Sequence, residues 1–261
     1  MRARVGGLVL AAGAGRRFGG PKAVAELDGV RLVDRAAAVL AAGGADPVVV
    51  VLGAAVVEVP GADEVVVNPG WASGMASSLK AGLASPAFAG CTAVVVSLVD
   101  TPGVRASAVR CLADAHARGA ELAVATYGGQ RGHPVLLGKA HWEQIAAQTY
   151  GDQGARGYLS ARPELVVEVA CDGDPRDADT PGELAGRGIL SRIAGDVGPA
   201  GAPMGAGLDE LSGLLGGSGA RARAEEKAAE VVRRQSEESG QPPLMSVDLD
   251  AGIARFRPRQ G

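Results

Sequence analysis

Two valine-rich runs constrain this chain more than any other feature: "PVVVVLG" at 47–53 and "TAVVVSLVD" at 92–100. Neither alternates apolar with polar residues. A strand that is apolar at every position must be covered on both faces, the condition of strands in a mostly parallel sheet. "VGGLVLAA" at 5–12, "EVVV" at 64–67 and "ELAVATY" at 121–127 read as further strands. Helical patterns separate them: "VRLVDRAAAVLAAGG" (30–44), ending at a glycine pair, "SGMASSLKAGLA" (73–84) and "RASAVRCLADAHARG" (105–119). This alternation predicts an α/β fold of three layers, Rossmann-like, with helices on both sides of the sheet. Ligands of such folds bind at the carboxyl ends of the strands. The loop after the first strand and the residues after Val99 both lie at that edge.

That first loop reads "LVLAAGAGRRFGGPK" (8–22). Its glycines let a backbone approach phosphates closely, and Arg16, Arg17 and Lys22 supply positive charge. Two familiar phosphate patterns do not fit. The dinucleotide fingerprint finds Gly13 and Gly15 but meets Phe18 at its third glycine, and the strand at 47–53 ends without the acidic residue that holds the ribose. A Walker A loop is broken by Pro21 before Lys22 and by Ala23 at the hydroxyl position.

The segment L-A-A-G-x-G-x-R-F-G-x-x-K instead resembles the signature of the nucleotidyltransferases that load NTPs onto sugar phosphates, alditol phosphates and the molybdenum cofactor. "NPGWASGMASSL" (68–79), "SLVDTPGV" (97–104), "RGHPVLL" (131–137), "GDQGAR" (151–156) and "DADTPGEL" (177–184) follow in the order of the molybdenum cofactor cytidylyltransferase branch. The resemblance covers roughly residues 5–185 and implies the roles of individual residues. Leu10, Ala11, Ala12, Gly13, Gly15 and Arg16 face the nucleotide, joined by Asn68, Gly74, Ser77 and Ser78 at the base and ribose. Asn-Pro also starts turns, and Ser73 can cap the helix that follows. Arg17, Lys22 and Asp100 are implied as catalytic, with Asp100 and Asp179 holding Mg2+. Asp177 orients its loop. His133, Asp152 and Arg156 are implied near the acceptor, although His133 also fits a purely structural role. Gly182 stands where the family carries an acidic residue, which touches a helix cap more than the metal.

The implied reaction joins CTP to the terminal phosphate of a molybdopterin-type acceptor and releases pyrophosphate. GTP remains an alternative, since D-T-P also occurs in the guanylyl branch. Other sugar- or alditol-phosphate acceptors, or a non-catalytic accessory role, are further alternatives. A metal-free site would hold two carboxylates in mutual repulsion, so an Asp→Asn change there is expected to be mildly stabilising. The resemblance also leaves room for transient docking to a molybdoenzyme or its chaperone.

Composition sets the outer limits. A net charge of −3 gives no support for nucleic-acid binding, and no apolar run has the length of a membrane span. The N-terminal apolar run is short and contains the phosphate loop, so it is not read as a signal peptide. Cys91, Cys111 and Cys171 are odd in number and lack C-x-x-C spacing, which reads as reduced thiols in the cytoplasm. The pattern changes near residue 195, where "GDVGPAGAPMGAG" is linker-like. Residues 1–194 are therefore expected to form the catalytic domain and 195–261 a flexible appendage. Within it, 222–238 reads as helix-forming and "SVDLDAGIARFRP" as a small hairpin around Asp250–Gly252.

Overall fold

The computed structural model describes residues 4–186 and, further on, the strands at 245–248 and 253–256. In chain order the elements are β1 (Val5–Leu10), a two-residue hairpin of β2 (Glu26–Leu27) and β3 (Val30–Arg31), α1 (Leu32–Ala42), β4 (Val48–Leu52), β5 (Glu64–Val67) and α2 (Met75–Leu83). There follow β6 (Ala93–Leu98), α3 (Ala106–Ala117), β7 (Leu122–Tyr127), β8 (Gln130–Gly138), α4 (Trp142–Gln148), α5 (Arg156–Ser160) and β9 (Val166–Ala170). β1 and β4–β9 form one sheet in the order β5-β4-β1-β6-β8-β7-β9. All pairings in it are parallel except those of β8 with β6 and β7.

The valine runs behave as double-sided strands. Val9, Val48, Val50 and Val95 pack on one face against Leu32, Val33 and Leu40 of α1 and Val109 and Leu112 of α3. Leu8, Val49, Val51, Val94 and Val96 pack on the other against Leu79 and Leu83 of α2, Ile145 of α4 and Tyr158 and Leu159 of α5. Successive side chains of a strand point to opposite faces, so burial on both requires the unbroken apolar run. This is the three-layer α/β arrangement expected from the sequence.

Leu10 lies opposite Val51 on one side and Leu98 on the other, so β1, β4 and β6 end level. The chain leaves β1 toward β4 and β5, then returns to place β6 on the opposite flank. β1 and β6 thus frame the point where the winding reverses, and a crevice opens there at the carboxyl edge.

β8 is a strand that the sequence reading took only as a motif. Val124 of β7 pairs with Val135, but Ala125 pairs with Gly132, leaving His133 and Pro134 in a bulge. A bulge is where a strand tolerates proline, which cannot donate to the ladder.

The chain divides into two units, residues 1–197 and 198–261. In the second, β10 (Met245–Asp248) and β11 (Ile253–Phe256) pair antiparallel, with Asp248 opposite Ile253, as the expected hairpin around Asp250–Gly252 requires. The expected helix at 222–238 lies outside the described residues.

Phe88 is fully buried and meets Trp142 edge-on, with 6.0 Å between ring centroids. Phe88→Ala should lower unfolding free energy by about 3–5 kcal/mol through lost burial and the cavity left behind. Val67, on the edge strand β5, is 49% exposed, and Val67→Ala should cost no more than about 0.5 kcal/mol. Urea midpoints at unchanged slope measure both; equal costs would contradict this assignment of the core.

Candidate active site

The loop leaving β1 is shaped by one carbonyl. Gly15 O accepts the N–H groups of Phe18, Gly19 and Gly20 at 2.9, 3.0 and 3.3 Å. Gly15 itself has φ +59°, and a Cβ there would collide with the Gly20 carbonyl. Only glycine meets both demands. Phe18 packs against the core below, and Ala23 is fully buried, which anchors Lys22 between them and the crevice. A Cβ at Gly13, by contrast, would meet nothing within 4 Å. That open side faces a cleft of about 450 Å3, a volume suited to a small-molecule ligand. Leu10, Ala12, Gly13, Gly15, Arg16 and Arg17 line it together with Lys22, whereas Ala11 is buried in the core and does not.

The opposite wall carries the carboxylates. Asp100 follows β6 in a turn closed by Thr101, whose hydroxyl donates to the Leu98 carbonyl at 2.9 Å. Thr101 is buried and is not part of the lining. The Asp100 carbonyl accepts the Ala178 N–H at 2.8 Å, and fully buried Ala178 seats the following loop. Beyond it, Thr180 and Glu183 make a capping box. Glu183 Oε2 accepts from Asp179 N at 2.8 Å and Thr180 N at 3.1 Å, while Thr180 Oγ1 accepts from Glu183 N at 3.2 Å. The cap that Gly182 does not supply comes from the next residue. Asp179 is thereby held beside Asp100.

The two carboxylates do not face each other bare. Lys22 Nζ donates to Asp100 Oδ2 at 3.1 Å and to Asp179 Oδ1 at 2.9 Å. Arg17 pairs with the other oxygen of Asp179 at 3.1 Å. The expectation of net repulsion in the metal-free site is therefore corrected: the largely buried Lys22 ammonium, 12% exposed over its side chain, lies between the carboxylates. Burial works against the Lys22 charge, but the hydrogen bonds and charges of Asp179 and Asp100 outweigh it and hold its pKa above the usual lysine value. The hydrogen bond from Lys22, aided by the Lys22 and Arg17 charges, holds Asp179 below the usual carboxylate range.

Asp100 Oδ1 is buried with no hydrogen-bond partner. A buried, unpartnered carboxylate oxygen is costly unless something compensates for it. A hard cation bound by Asp100 and Asp179 fits that oxygen, and two carboxylates are what magnesium takes from a protein when substrate phosphates complete its shell. Among the described residues no group of three or more His, Cys, Asp or Glu stands ready to hold a metal by itself.

The third wall is the 68–79 segment. Asn68 Nδ2 donates to Ser77 Oγ at 2.9 Å and Ser78 Oγ at 3.1 Å, and its Oδ1 accepts from Gly70 N. Asn68 and Ser77 do not line the cleft; Gly74 and Ser78 do. Ser73 does not cap α2, since its hydroxyl turns back to the Gly70 carbonyl. The cap comes from the 151–156 loop, where Asp152 Oδ1 accepts the Met75 N–H at 3.3 Å. Gly74 permits this contact: its φ is +112°, and a Cβ would strike the Gly151 backbone.

Asp152 lines the cleft, but His133 and Arg156 do not. His133 sits in the β8 bulge with Nδ1 3.4 Å from the Val96 carbonyl oxygen. Burial, with the Arg156 charge, lowers its pKa despite the opposing Val96 carbonyl and Asp100. Trp71 and Met75 line the cleft and were not singled out from the sequence. No local sequence signal marks Trp71; in the fold Gly53 packs directly under its side chain and leaves no room for a Cβ.

Comparison with known proteins agrees with this architecture. The model of the "MobA-like NTP transferase domain" matches residues 7–166. Nicotine blue oxidoreductase of Paenarthrobacter nicotinovorans is 37% identical over 191 residues, 67% of this chain and 92% of its own. The crystal structure of the Rv0371c homologue from Mycobacterium sp. strain JC1 is 32% identical, with a TM-score of 0.62 over 75% of this chain and all of that one. Rv0371c of Mycobacterium tuberculosis in complex with manganese is 26% identical, with a TM-score of 0.57 over 75% of this chain and all of its own. With its Rossmann-like nucleotidyltransferase sheet and a phosphate loop facing two carboxylates, the chain belongs to the MobA-like NTP transferase family.

Proposed function

We propose that this nucleotidyltransferase joins CTP to the terminal phosphate of a molybdopterin-type cofactor and releases pyrophosphate. The observation that carries the reading is the convergence of Arg17, Lys22, Asp100 and Asp179 at the open side of the glycine loop. An acceptor phosphate oxygen attacks the α-phosphorus in line, forming one P–O bond as the α–β bridging P–O bond breaks. Pyrophosphate leaves with the electron pair, and no covalent enzyme intermediate is required. Arg17 and Lys22 neutralise the phosphates, and the loop backbone at 13–17 orients them. Mg2+, when held by Asp100 and Asp179, supplies further charge neutralisation. The manganese bound by the tuberculosis relative supports a divalent ion at such a site. Asp152, which lines the cleft, is assigned to the acceptor side. His133 and Arg156 serve by shaping that wall, and Asn68 and Ser77 by fixing the segment that carries Ser78 and Trp71.

CTP is favoured by the 68–79 segment. The D-T-P threonine carries little weight for GTP, because Thr101 is turned to the Leu98 carbonyl. We assign the enzyme to the cytoplasm, where Cys91, Cys111 and Cys171, all free, fit reduced thiols. No helix among the described residues is long and apolar enough to cross a membrane. Every residue given a role, Glu183 of the capping box being the last, precedes residue 184, so residues 195–261 are proposed to lie outside the catalytic unit.

A second reading comes from the Paenarthrobacter nicotinovorans relative, whose name denotes redox chemistry on nicotine blue. Two assays separate the readings. Pyrophosphate release from CTP with a purified molybdopterin-type acceptor supports nucleotidyl transfer. Reduction of nicotine blue by a supplied two-electron donor, without pyrophosphate release, replaces it with the redox reading.

Two further outcomes are expected. CTP with Mg2+ should raise the melting temperature more than GTP, ATP or UTP, by the equivalent of about 2.7 kcal/mol at ~100 times Kd. A larger shift with GTP moves the assignment to guanylyl transfer. Asp100→Asn and Asp179→Asn should each lower turnover by ~100-fold or more, the scale of losing one preorganised electrostatic group. Both should also lower the apo melting temperature, because each leaves partly buried Lys22 with one fewer anionic partner. Normal turnover in either variant, read from magnesium-dependent pyrophosphate release, overturns the two-carboxylate site.

A further inference from the structure

The Lys22 ammonium is only 12% exposed and bridges two carboxylates. Arg17 takes the second oxygen of Asp179. Of the four carboxylate oxygens, three are therefore occupied by cationic groups. The fourth, Asp100 Oδ1, is sealed from solvent. One ammonium and one guanidinium balance two carboxylates, so the cluster is formally neutral. A divalent ion arriving alone meets no net attraction and no accessible pair of oxygens.

Resting on the nucleotidyltransferase reading, we propose that Lys22 is the resident cation of the metal-free site. A divalent ion takes its place only after a bound triphosphate has drawn the ammonium away. The lysine is suited to this exchange. It is a compact point charge on a flexible stem, whereas a guanidinium fork is committed to its geometry. Its base is fixed by buried Ala23, and the loop residues 13–17 lie in the same cleft. Turning Lys22 and Arg17 toward phosphates leaves two carboxylates uncompensated beside a polyanion, which is the setting that magnesium requires. Nucleotide and metal then bind in order, and each must tighten the other by the same factor.

The test is the affinity for Mn2+, followed by electron paramagnetic resonance on the full chain, with and without a non-hydrolysable CTP analogue. Wild-type protein should retain Mn2+ poorly alone and well with the analogue, after subtraction of the ion carried by free analogue. Lys22→Met should bind Mn2+ without nucleotide about 10-fold or more tightly than wild type, the scale on which neighbours of a metal ligand alter its affinity. Lys22→Gln keeps a donor to both carboxylates without the charge, so it gives the same reading if Lys22→Met does not fold. Wild-type protein that binds Mn2+ equally well with and without the analogue overturns the proposal and needs no variant. Variants that bind Mn2+ no more tightly than wild type, while the analogue still promotes binding, overturn the role of Lys22 and leave nucleotidyl transfer standing. Failure of wild-type protein to retain Mn2+ even with the analogue removes both.

Discussion

The ammonium of Lys22 joins parts of the chain that are otherwise far apart. Its partners Asp100 and Asp179 lie 78 and 157 residues further along. One comes off the end of β6, and the other is held by a loop pinned to the Asp100 carbonyl. Three segments are thus closed around one charge at the edge where β1 and β6 end level. A partly buried charge with two anionic partners is compensated in place, and removing either partner is costly. The same arrangement that organises the metal-free cleft also sets the charges that a triphosphate must redistribute.

The layered fold was legible because its physical requirement is simple. Strands such as Val48–Leu52 and Ala93–Leu98 are buried on both faces, so nearly every position is apolar, Ser97 being the exception, and the intervening periodicity then names the helices. β8 was not legible, although its apolar half, Val135–Leu137, is a core segment. The Gly-His-Pro stretch before it reads as a strand breaker. It becomes acceptable only because a bulge lifts His133 and Pro134 out of the ladder, and bulges depend on the partner strand. Ser73 is a similar case. Its residue type is right for a helix cap, but Asp152, 77 residues beyond Met75, delivers the oxygen to the Met75 N–H instead. Long-range competition for a helix N-terminus leaves no local trace.

The site divides in the same way. Gly15, Lys22 and Asp100 were readable because phosphate chemistry demands those residue types at strand ends. Their charge state was not. Two aspartates in a motif read as repulsion until the lysine between them is placed, and no spacing rule places it. Asn68 shows the reverse error. An amide beside a ligand segment reads as a ligand, yet both ends of this one are spent on Ser77, Ser78 and Gly70. Trp71 was overlooked because a single aromatic carries no periodic signal. Its position becomes clear only when Gly53 is seen beneath it.

The two ends of the cleft answer different chemical questions. At one end, Arg17, Lys22, Asp100 and Asp179 form a balanced set of charges whose geometry suits phosphates and a hard cation. At the other, Trp71, Ala72 and Met75 supply a largely apolar wall with Ser78 beside it. Apolar walls discriminate weakly between flat ligands of similar size, whereas an unpartnered buried charge rejects a wrong ligand strongly. The charged end therefore constrains what kind of reaction the cleft supports more tightly than the apolar end constrains which ring it holds. A fold can pass from one reaction to another by change at such a site without change in its sheet. Thirty-seven per cent identity to a protein named for redox chemistry is compatible with that, because identity of this order fixes the scaffold and leaves the reaction to the charged residues that line the cleft.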